Sequence, residues 1–373
     1  MKTAPVPVSA KIGLKFFRAE GCISYCVFDR LAREAVLIDP HFALFDDYCV
    51  YLSDNGLKVV MVVDSHTHAD HYSASHLFRD RFGSEIGMSI HTQCERPTRK
   101  LSAGDKIAFG ALRLNVLETP GHTPDGISLL LEGDQPGAAT MVFTGDTLLI
   151  GGSGRTDFNG SDPTKLWDSL IGTLSELPAT TVVFPGHDYG GILFSTIGIE
   201  KSSNRHLKMT SREEFERLKS SESIQIESEE VKHCLVFNRA AKPESAPLAG
   251  NGTVAGTSCA MAPVAPRGSA EIKAEKYRHK LDEAASGTEF IDVREPDEYA
   301  AGHMKGARNI PLSELAMHWE QISRASRIYC SCLSGLRSGM AVKTLSYLGF
   351  KDAVNVAGGF RAWQQAGLPV VKN

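Results

Sequence analysis

The chain has 373 residues, 42% of them hydrophobic, which suits two or three domains with cores of their own. Its 40 lysines and arginines against 44 aspartates and glutamates give a formal net charge of −4. This balance excludes the basic field of a nucleic-acid-binding protein. Eight cysteines are too few for a disulfide scaffold of this length. The sequence shows no membrane-spanning run and no obvious signal peptide, so we expect neither nucleic acid nor membrane as a partner.

The first motif that carries chemistry is SHTHADH at residues 65–71, directly after the apolar, strand-like run 59–63. Three further turns punctuated by glycine follow apolar runs: PGHTP at 120–124, TGD at 144–146 and PGHD at 185–188. Imidazole and carboxylate groups on such turns suit borderline metal ions. The candidate ligands are His66, His68, Asp70, His71, His122, Asp146 and His187.

The order of these turns resembles the metallo-β-lactamase superfamily over about residues 12–210. This resemblance implies an α/β fold, an αββα sandwich with the metal at one edge of its two sheets. All seven candidate ligands together could hold two zinc ions that activate a bridging hydroxide. A thioester hydrolase of the glyoxalase II type, with two zinc ions, therefore stays open as an alternative.

The stretch GRTDF at residues 154–158, together with its neighbouring motifs, resembles the persulfide dioxygenases. That resemblance implies one Fe(II) per chain, held by His66, His122 and Asp146. Two imidazoles and one carboxylate on one face of iron leave the other face open for substrate sulfur and O2. Zinc lacks this redox chemistry.

The remaining candidates are expected to surround that iron rather than to bind it. Groups in such positions orient the ligands and fix their tautomers. They are His68, Asp70, His71 and His187.

The same resemblance places Arg155 and Asp157 near the thiol carrier, where their charges suit glutathione. It places Tyr189 beside the iron, as a catalytic or substrate-binding residue whose hydroxyl steers the sulfur or the oxygen. For Tyr189 the alternative is a half-buried aromatic ring with its hydroxyl in water.

A second motif lies near the other end of the chain, where the strand-like run 327–331 leads into Cys332 and a helix-like run covers 339–348. Backbone N–H groups at a helix start stabilise a thiolate, which favours a nucleophile. The loop from Cys332 to Arg337 resembles the active-site loop of rhodaneses, and the likeness spans about residues 270–371. It implies a small doubly wound α/β domain in which Cys332 carries sulfur as a persulfide.

Within this resemblance Arg337 is expected to hold thiosulfate or sulfite near Cys332. Asp292 and Arg294 are expected to form a structural charge pair beneath the loop, and Cys330 is expected to point into the core. The other six cysteines have no paired spacing that indicates a zinc site, and core or surface thiols account for them.

Residues 241–269 are rich in Ala, Pro, Gly and Ser, which predicts a flexible linker. The expected domains are therefore 1–240, of the persulfide dioxygenase type, and 270–373, of the rhodanese type. A flexible linker of this length spans roughly 30 Å on average. It would hold the two sites at an effective concentration on the order of millimolar.

The two resemblances together imply a bifunctional enzyme, and the cysteine content with no obvious signal peptide leads us to expect a cytoplasmic location. Its first domain is expected to oxidise glutathione persulfide with O2 and water to sulfite and glutathione. Its second is expected to move sulfur between thiosulfate or sulfite and glutathione through Cys332. A sulfur-transfer or sensing protein whose first domain only binds a ligand is a further alternative. The sequence leaves the oligomeric state open, a homodimer included.

Overall fold

The computed structural model describes residues 11–133, 139–222, 228–240, 270–273, 276, 287–324 and 327–372. The chain divides into two compact units, Met1–Tyr189 with Thr196–Pro263, and Gly190–Ser195 with Val264–Asn373. The linker predicted at 241–269 lies outside the described residues. Among the helices that the structure describes, none combines the length and the apolar character needed to cross a bilayer.

The first unit contains two six-stranded sheets. The strands of the first sheet, in spatial order, are β1 (Ile12–Ala19), β2 (Cys22–Asp29), β3 (Glu34–Ile38), β4 (Lys58–Val63), β5 (Glu85–Ser89) and β6 (Arg99–Leu101). The next strands along the chain are β7 (Lys106–Phe109), β8 (Leu112–Glu118), β9 (Ile127–Glu132), β10 (Ala139–Gly145), β11 (Leu148–Leu149), β12 (Gly152–Ser153), β13 (Val182–Pro185) and β14 (Ser195–Thr196). The second sheet has the order β14-β13-β10-β9-β8-β7, and β11 pairs with β12.

The two sheets pack face to face through aromatic side chains. The ring of Tyr25 on β2 lies 5.1 Å from that of Phe143 on β10 and 5.4 Å from that of Phe184 on β13. Its hydroxyl donates to the carbonyl oxygen of Pro185 at 2.6 Å, which satisfies the polar end of a buried ring. Every residue of β2 is buried, as expected for a strand covered on both faces.

Helices cover the outer faces of this sandwich. Those of the first unit are α1 (Phe45–Asp54), α2 (Ser75–Phe82), α3 (Pro163–Trp167), α4 (Ile197–Ser203), α5 (Arg212–Ser221) and α6 (Glu229–Arg239), with short helical turns at Phe42–Leu44 and Asp168–Leu174.

Two apolar clusters attach these helices to the sheets. Tyr48 and Leu52 of α1 share a core with Phe28 and Val62 of the first sheet. On the other side, Leu166, Ile197 and Phe215, from α3, α4 and α5, pack against Val142 and Val183 of the second sheet. The predicted αββα sandwich is thus confirmed.

The second unit is built on a parallel sheet. The described strands of this unit are β15 (Ala270–Lys273), β16 (Thr288–Asp292), β17 (His303–Met304), β18 (Arg308–Asn309), β19 (Arg327–Ser331), β20 (Ala353–Ala357) and β21 (Val370–Val371). Its described helices are α7 (Pro296–Ala301), α8 (Leu315–His318), α9 (Leu336–Tyr347) and α10 (Gly359–Gln365), with a short turn at Trp319–Gln321. The main sheet has the order β15-β20-β19-β16-β18, which is the α/β arrangement expected of this domain.

Candidate functional site

The first site lies where strands of the two sheets end. His66 follows β4, His122 lies in the turn between β8 and β9, and Asp146 follows β10. All three side chains are buried, and each offers one ligand atom within 4.8 Å of the others. Asp146 Oδ2 lies 3.5 Å from His122 Nε2 and 3.9 Å from His66 Nε2. The structure therefore brings together the three predicted iron ligands.

The tautomer of His122 follows from its neighbour. Its Nδ1 lies 2.9 Å from the carbonyl oxygen of Arg155. A carbonyl only accepts, so Nδ1 carries the proton and the lone pair of Nε2 faces Asp146.

His66 is fixed by a short relay of hydrogen bonds. The hydroxyl of Ser65 donates to Asp39 Oδ2 at 2.8 Å, and its oxygen lies 2.9 Å from His66 Nδ1. Because the hydroxyl proton is already directed at a carboxylate, Nδ1 of His66 donates and its Nε2 keeps the lone pair. Asp39 also accepts from the backbone N–H of Ser65 at 2.6 Å, which holds the start of the loop in place.

The pKa values of His66, His122 and Asp146 depend on their burial and on their charged neighbours. Burial lowers the pKa of His66 to about 3 and also lowers the pKa of His122, so both rings are neutral near pH 7. Burial opposes ionisation of Asp146, but the charge of the His187 ring and its hydrogen bond outweigh burial and hold the pKa of that carboxyl well below its usual range. Asp146 Oδ2 is buried and has no hydrogen-bond partner among the residues that the structure describes. Two neutral imidazoles and an unsatisfied carboxylate oxygen fit a divalent metal such as Fe(II).

His68 is held away from this donor set. Its Nε2 lies 3.1 Å from Asp39 Oδ1, and because a carboxylate accepts, Nε2 donates there. His68 therefore donates a hydrogen bond to Asp39, the same aspartate that accepts from the hydroxyl of Ser65.

The other predicted residues form a second buried cluster beside the first. His187 Nδ1 lies 2.6 Å from Asp146 Oδ1, and His187 Nε2 lies 2.7 Å from Asp70 Oδ2. His71 Nδ1 lies 3.3 Å from Asp70 Oδ1. Burial alone would lower the pKa of His187, but the surrounding carboxylates raise it well above its usual value. Both ring nitrogens of His187 are therefore engaged with carboxylates.

The sequence assigned Cys22 no role, yet its sulfur lies in this second cluster. Its Sγ is 3.3 Å from His187 Nε2 and 3.5 Å from Asp70 Oδ2. The position results from an isolated β-bridge between Cys22 and His187, which join the two sheets at this edge. No spacing in the sequence indicates this contact, because 165 positions separate the two residues.

Asn238 on α6 is another residue that sequence reasoning missed. Its Nδ2 donates to the carbonyl oxygens of His68 at 2.9 Å and His71 at 2.8 Å. Its Oδ1 accepts from the backbone N–H of Ser73 at 2.9 Å. The side-chain amide of Asn238 thus satisfies three backbone groups in the loop that follows His66 and holds the conformation of this loop.

The segment that carries Arg155 is held from behind by the C-terminal helices of the first unit. The buried ammonium of Lys219 donates to the carbonyl oxygen of Gly154 at 2.8 Å, and Asn204 Nδ2 donates to that of Gly152 at 2.9 Å. Arg155 forms a fork with Asp157, with two bonds of 2.8 Å each. The two predicted carrier-binding residues therefore contact each other.

Tyr189 lies at the opening of the second cluster. Its ring stacks on that of His187, with centroids 5.8 Å apart and planes 13° apart, and its side chain is partly exposed. A Cβ on Gly21 would lie 2.6 Å from the tyrosine ring, so the close approach of Tyr189 needs a glycine there. Next to it, Asp188 pairs with Arg18 at 2.7 Å.

The second site is centred on Cys332, directly after β19. Its sulfur accepts from the backbone N–H of Gly335 at 3.1 Å and lies 3.4 Å from Ser338 Oγ. Gly335 has a φ of 98° and caps α9, which starts at Leu336, three residues earlier than the predicted run. The backbone N–H of Gly335 is thus directed at the sulfur, while the hydroxyl of Ser338 donates to Asn355 Oδ1 at 2.7 Å.

Two ion pairs lie beside this loop. Arg294 and Asp292 form a buried ion pair at 2.6 Å, as predicted. Arg337 forms a fork with Glu298, at 2.6 and 2.7 Å, which the sequence did not indicate. Cys330 is buried, as predicted, and burial raises its pKa to about 12.

Two known families match this chain. Residues 19–187 match the metallo-beta-lactamase superfamily. Residues 273–366 match the rhodanese-like domain. The two matched segments contain the two sites described above.

Individual relatives agree. The human protein named persulfide dioxygenase ETHE1, mitochondrial, is 33% identical over 205 residues, which cover 55% of this chain and 78% of the relative. The crystal structure of ETHE1 from Myxococcus xanthus has a TM-score of 0.56 and 34% identity, covering 61% of this chain and 97% of that one. A metallo-beta-lactamase structure from Staphylococcus aureus has a TM-score of 0.55 and 22% identity over 92% of this chain and 98% of its own, and this likeness concerns the fold alone.

Proposed function

The chain belongs to the persulfide dioxygenase family of the metallo-β-lactamase superfamily and carries a rhodanese-like domain, and from this premise we propose a bifunctional enzyme of sulfur metabolism. Its first domain oxidises glutathione persulfide with O2 and water to sulfite and glutathione, using one Fe(II). Its second domain moves sulfur between thiosulfate or sulfite and glutathione through Cys332.

The observation that carries the first activity is the convergence of His66, His122 and Asp146, with Asp146 Oδ2 buried and unsatisfied among the described residues. Iron bound there would supply redox chemistry and open coordination positions for sulfur and O2. In this proposal His187 is not a ligand, and its two ring nitrogens contact Asp146 Oδ1 and Asp70 Oδ2.

The residues around the ligands have distinct tasks in this proposal. Ser65 and Asp39 hold the ring of His66 with Nε2 directed inward, and the carbonyl of Arg155 does the same for His122. His187 positions the carboxylate of Asp146. Since none of these groups has to reorganise when substrate binds, the donor set is preorganised.

Glutathione is the proposed carrier of the persulfide. Arg155 and Asp157 would contact its charged groups, and the hydroxyl of Tyr189 would steer the terminal sulfur. The Arg155–Asp157 fork supports a rigid polar wall near His122, because the backbone oxygen of Arg155 touches that ring. This assignment rests on family likeness together with that contact.

The second activity is a transfer of sulfane sulfur in two steps. The thiolate of Cys332 attacks the outer sulfur of a donor, a new S–S bond forms, and the donor's S–S bond breaks. With thiosulfate, sulfite leaves with the electron pair. An acceptor thiolate then attacks the Cys332 persulfide and restores the thiolate, so neither step needs an oxidant.

Replacing His122 by alanine tests this division of labour. We expect His122→Ala to lose O2 uptake with glutathione persulfide, because one of three metal ligands is gone, while sulfur transfer by Cys332 continues. The measurement pairs an oxygen electrode with a thiosulfate-dependent transfer assay. If all activity survives, the first domain is only a binding module and the proposal is wrong.

The second buried cluster keeps one competitor open. Asp70, His71 and His187 are buried side by side and suit a second metal by residue type. A glyoxalase II-like enzyme with two zinc ions would cleave glutathione thioesters without consuming O2. Metal content and O2 uptake distinguish it from our proposal.

A further inference from the structure

The loop that surrounds Cys332 offers an anionic substrate a single cationic side chain. In the segment from Cys332 to Ser338, Arg337 is the only residue whose side chain carries a positive charge. Thiosulfate is a dianion, and a rhodanese loop that accepts it needs an available cation or free donors. The state of Arg337 therefore decides how well thiosulfate binds.

Arg337 is already bound to a carboxylate. Its Nη1 donates to Glu298 Oε2 at 2.6 Å and its Nη2 to Glu298 Oε1 at 2.7 Å, a two-point fork that matches both oxygens. The side chains are about one third exposed, at 32% and 30%, so the pair lies at the surface of the site. The hydrogen bonds that Arg337 donates to Glu298 raise the pKa of Arg337, in keeping with a tightly paired cation.

Glu298 is itself held in place. The backbone N–H of Glu295 donates to its Oε2 at 3.1 Å, as part of the capping box that starts α7. The carboxylate therefore does not need to be ordered before it binds Arg337. A thiosulfate ion that binds Arg337 would have to displace the carboxylate of Glu298 or bind beside it, where the negative charges of the two groups repel each other.

Two of the three exposed side chains of the loop are apolar, and the third is that of Ser334. Leu333 is 36% exposed and Leu336 is 78% exposed, on either side of Gly335. Such side chains supply no donors for the oxygens of thiosulfate or sulfite. They are compatible with an organic group that carries sulfur, since its stem can lie against them.

We propose that Glu298 determines the donor specificity of Cys332, by occupying Arg337 so that organic persulfides are preferred over inorganic thiosulfate. This inference rests on the proposed sulfur transfer at Cys332 and specifies its donor. The thiolate of Cys332 attacks the outer sulfur of R–S–SH, the donor's S–S bond breaks, and R–S⁻ leaves with the electron pair and takes up the donor's proton. The products are R–SH and the Cys332 persulfide anion.

The test measures how fast Cys332 gains sulfur in the full-length protein. Anaerobic mixing with glutathione persulfide or thiosulfate, alkylation and mass analysis of the Cys332 peptide give one rate constant for each donor. Absence of O2 prevents oxidation by the first domain. Cys332→Ser supplies the background from other cysteines.

Glu298→Gln keeps the shape of the side chain and removes its charge. We expect its rate constant with thiosulfate to rise about tenfold over wild type, because Arg337 regains an unneutralised charge. With glutathione persulfide the rate constant should change by less than about twofold. Asp297→Asn, which removes one exposed negative charge from the same helix, is the matched control and should leave both rates unchanged.

Two further variants complete the design. Adding Arg337→Met to Glu298→Gln should abolish the gain with thiosulfate, since the gain depends on that guanidinium. If Glu298→Gln does not fold, Glu298→Asp serves instead, because its shorter side chain cannot form the same fork and should raise the thiosulfate rate to a smaller degree.

The outcomes separate two failures. If Cys332 gains sulfur from neither donor, the proposed sulfur transfer itself is wrong. If Cys332 takes sulfur from glutathione persulfide but Glu298→Gln leaves the ratio of the two rates at the wild-type value, only the specificity role of Glu298 is overturned. An equal rise in Asp297→Asn would also overturn it, since the effect would then be one of general charge.

Discussion

Individual hydrogen bonds decide which atoms of the first site can bind metal. His66 and His122 each use Nδ1 to donate to a neighbouring oxygen, which leaves Nε2 as the ligand atom. His68, only two residues from His66, uses Nε2 to donate to Asp39, so this nitrogen is not available as a ligand atom. Residue type alone does not distinguish His66 from His68, because the difference lies in which ring nitrogen is occupied.

Replacing Ser65 tests whether a single hydrogen bond fixes the orientation of the His66 ring. Ser65→Ala deletes the oxygen that holds His66 Nδ1, so the ring loses its fixed orientation. We expect the affinity for Fe(II) to fall by about tenfold to a hundredfold, as is usual when such an orienting group is removed. Anaerobic competition with a chelator measures this affinity.

The control for this variant is Ser84→Ala. Ser84 is also buried, and its hydroxyl donates to the carbonyl oxygen of Val59 at 3.2 Å, at the end of β4 opposite to His66. Its loss should leave metal affinity unchanged. Equal losses in both variants would show that Ser65 acts on stability and not on His66.

At the scale of elements, the ligands depend on how closely the connecting turns approach each other. The segment around β12 passes directly behind the ring of His122. A Cβ on Gly154 would lie 2.9 Å from Cγ and Nδ1 of that ring and would also collide with the backbone oxygen of Asp146. The φ of Gly154 is not in the left-handed region. Glycine is therefore required at this position by the lack of space for a Cβ and not by the backbone conformation.

Gly154→Ala therefore should displace His122 and its metal. We expect loss of bound iron and of O2 uptake, together with a destabilisation of about 1–3 kcal/mol from overpacking. Gly152→Ala is the control two residues away, since a Cβ there meets no atom within 4 Å. Metal analysis and thermal unfolding of both variants decide the matter, and a Gly154→Ala protein with full iron content would contradict this account.

The sequence predicts the elements better than it predicts their mutual contacts. The turns with His66, His122, Asp146 and His187 are recognisable because each follows an apolar strand and contains its own motif. The position of Asn238 is not, since it bonds the carbonyl of His68 across 170 positions of the chain. Such contacts arise only when the sandwich has formed.

The same limit applies to the second site. The Cys332 loop and the pairing of Asp292 with Arg294 follow from short motifs and were predicted. The fork between Arg337 and Glu298 joins residues 39 positions apart on different elements, and the sequence suggested an anion in that place instead. A sequence motif does not indicate a polar partner that comes from another helix or strand.

At the scale of the whole molecule, two candidate sites occur in one chain, and in the proposed function they share a persulfide intermediate. Each site is built from residues of its own unit, so we expect the two activities to be separable. Cys332→Ser should keep O2 uptake with supplied glutathione persulfide and abolish thiosulfate-dependent turnover. An oxygen electrode with each substrate in turn measures both activities.

The outcome that would contradict separability is an equal loss of both activities in Cys332→Ser. Serine is close in size to cysteine, and Cys332 is buried, so a general loss of structure is not expected from this change. A matched check is Cys330→Ser. This residue lies in β19 with no proposed part in transfer, and any effect of its replacement should appear in stability and not in the choice of substrate.

The central claim is a single ferrous ion held by His66, His122 and Asp146, and metal quantitation combined with O2 consumption on purified glutathione persulfide tests it most directly. The account predicts one iron per chain and O2 uptake with sulfite and glutathione as products. Two zinc ions per chain, with cleavage of glutathione thioesters and no O2 uptake, would contradict it.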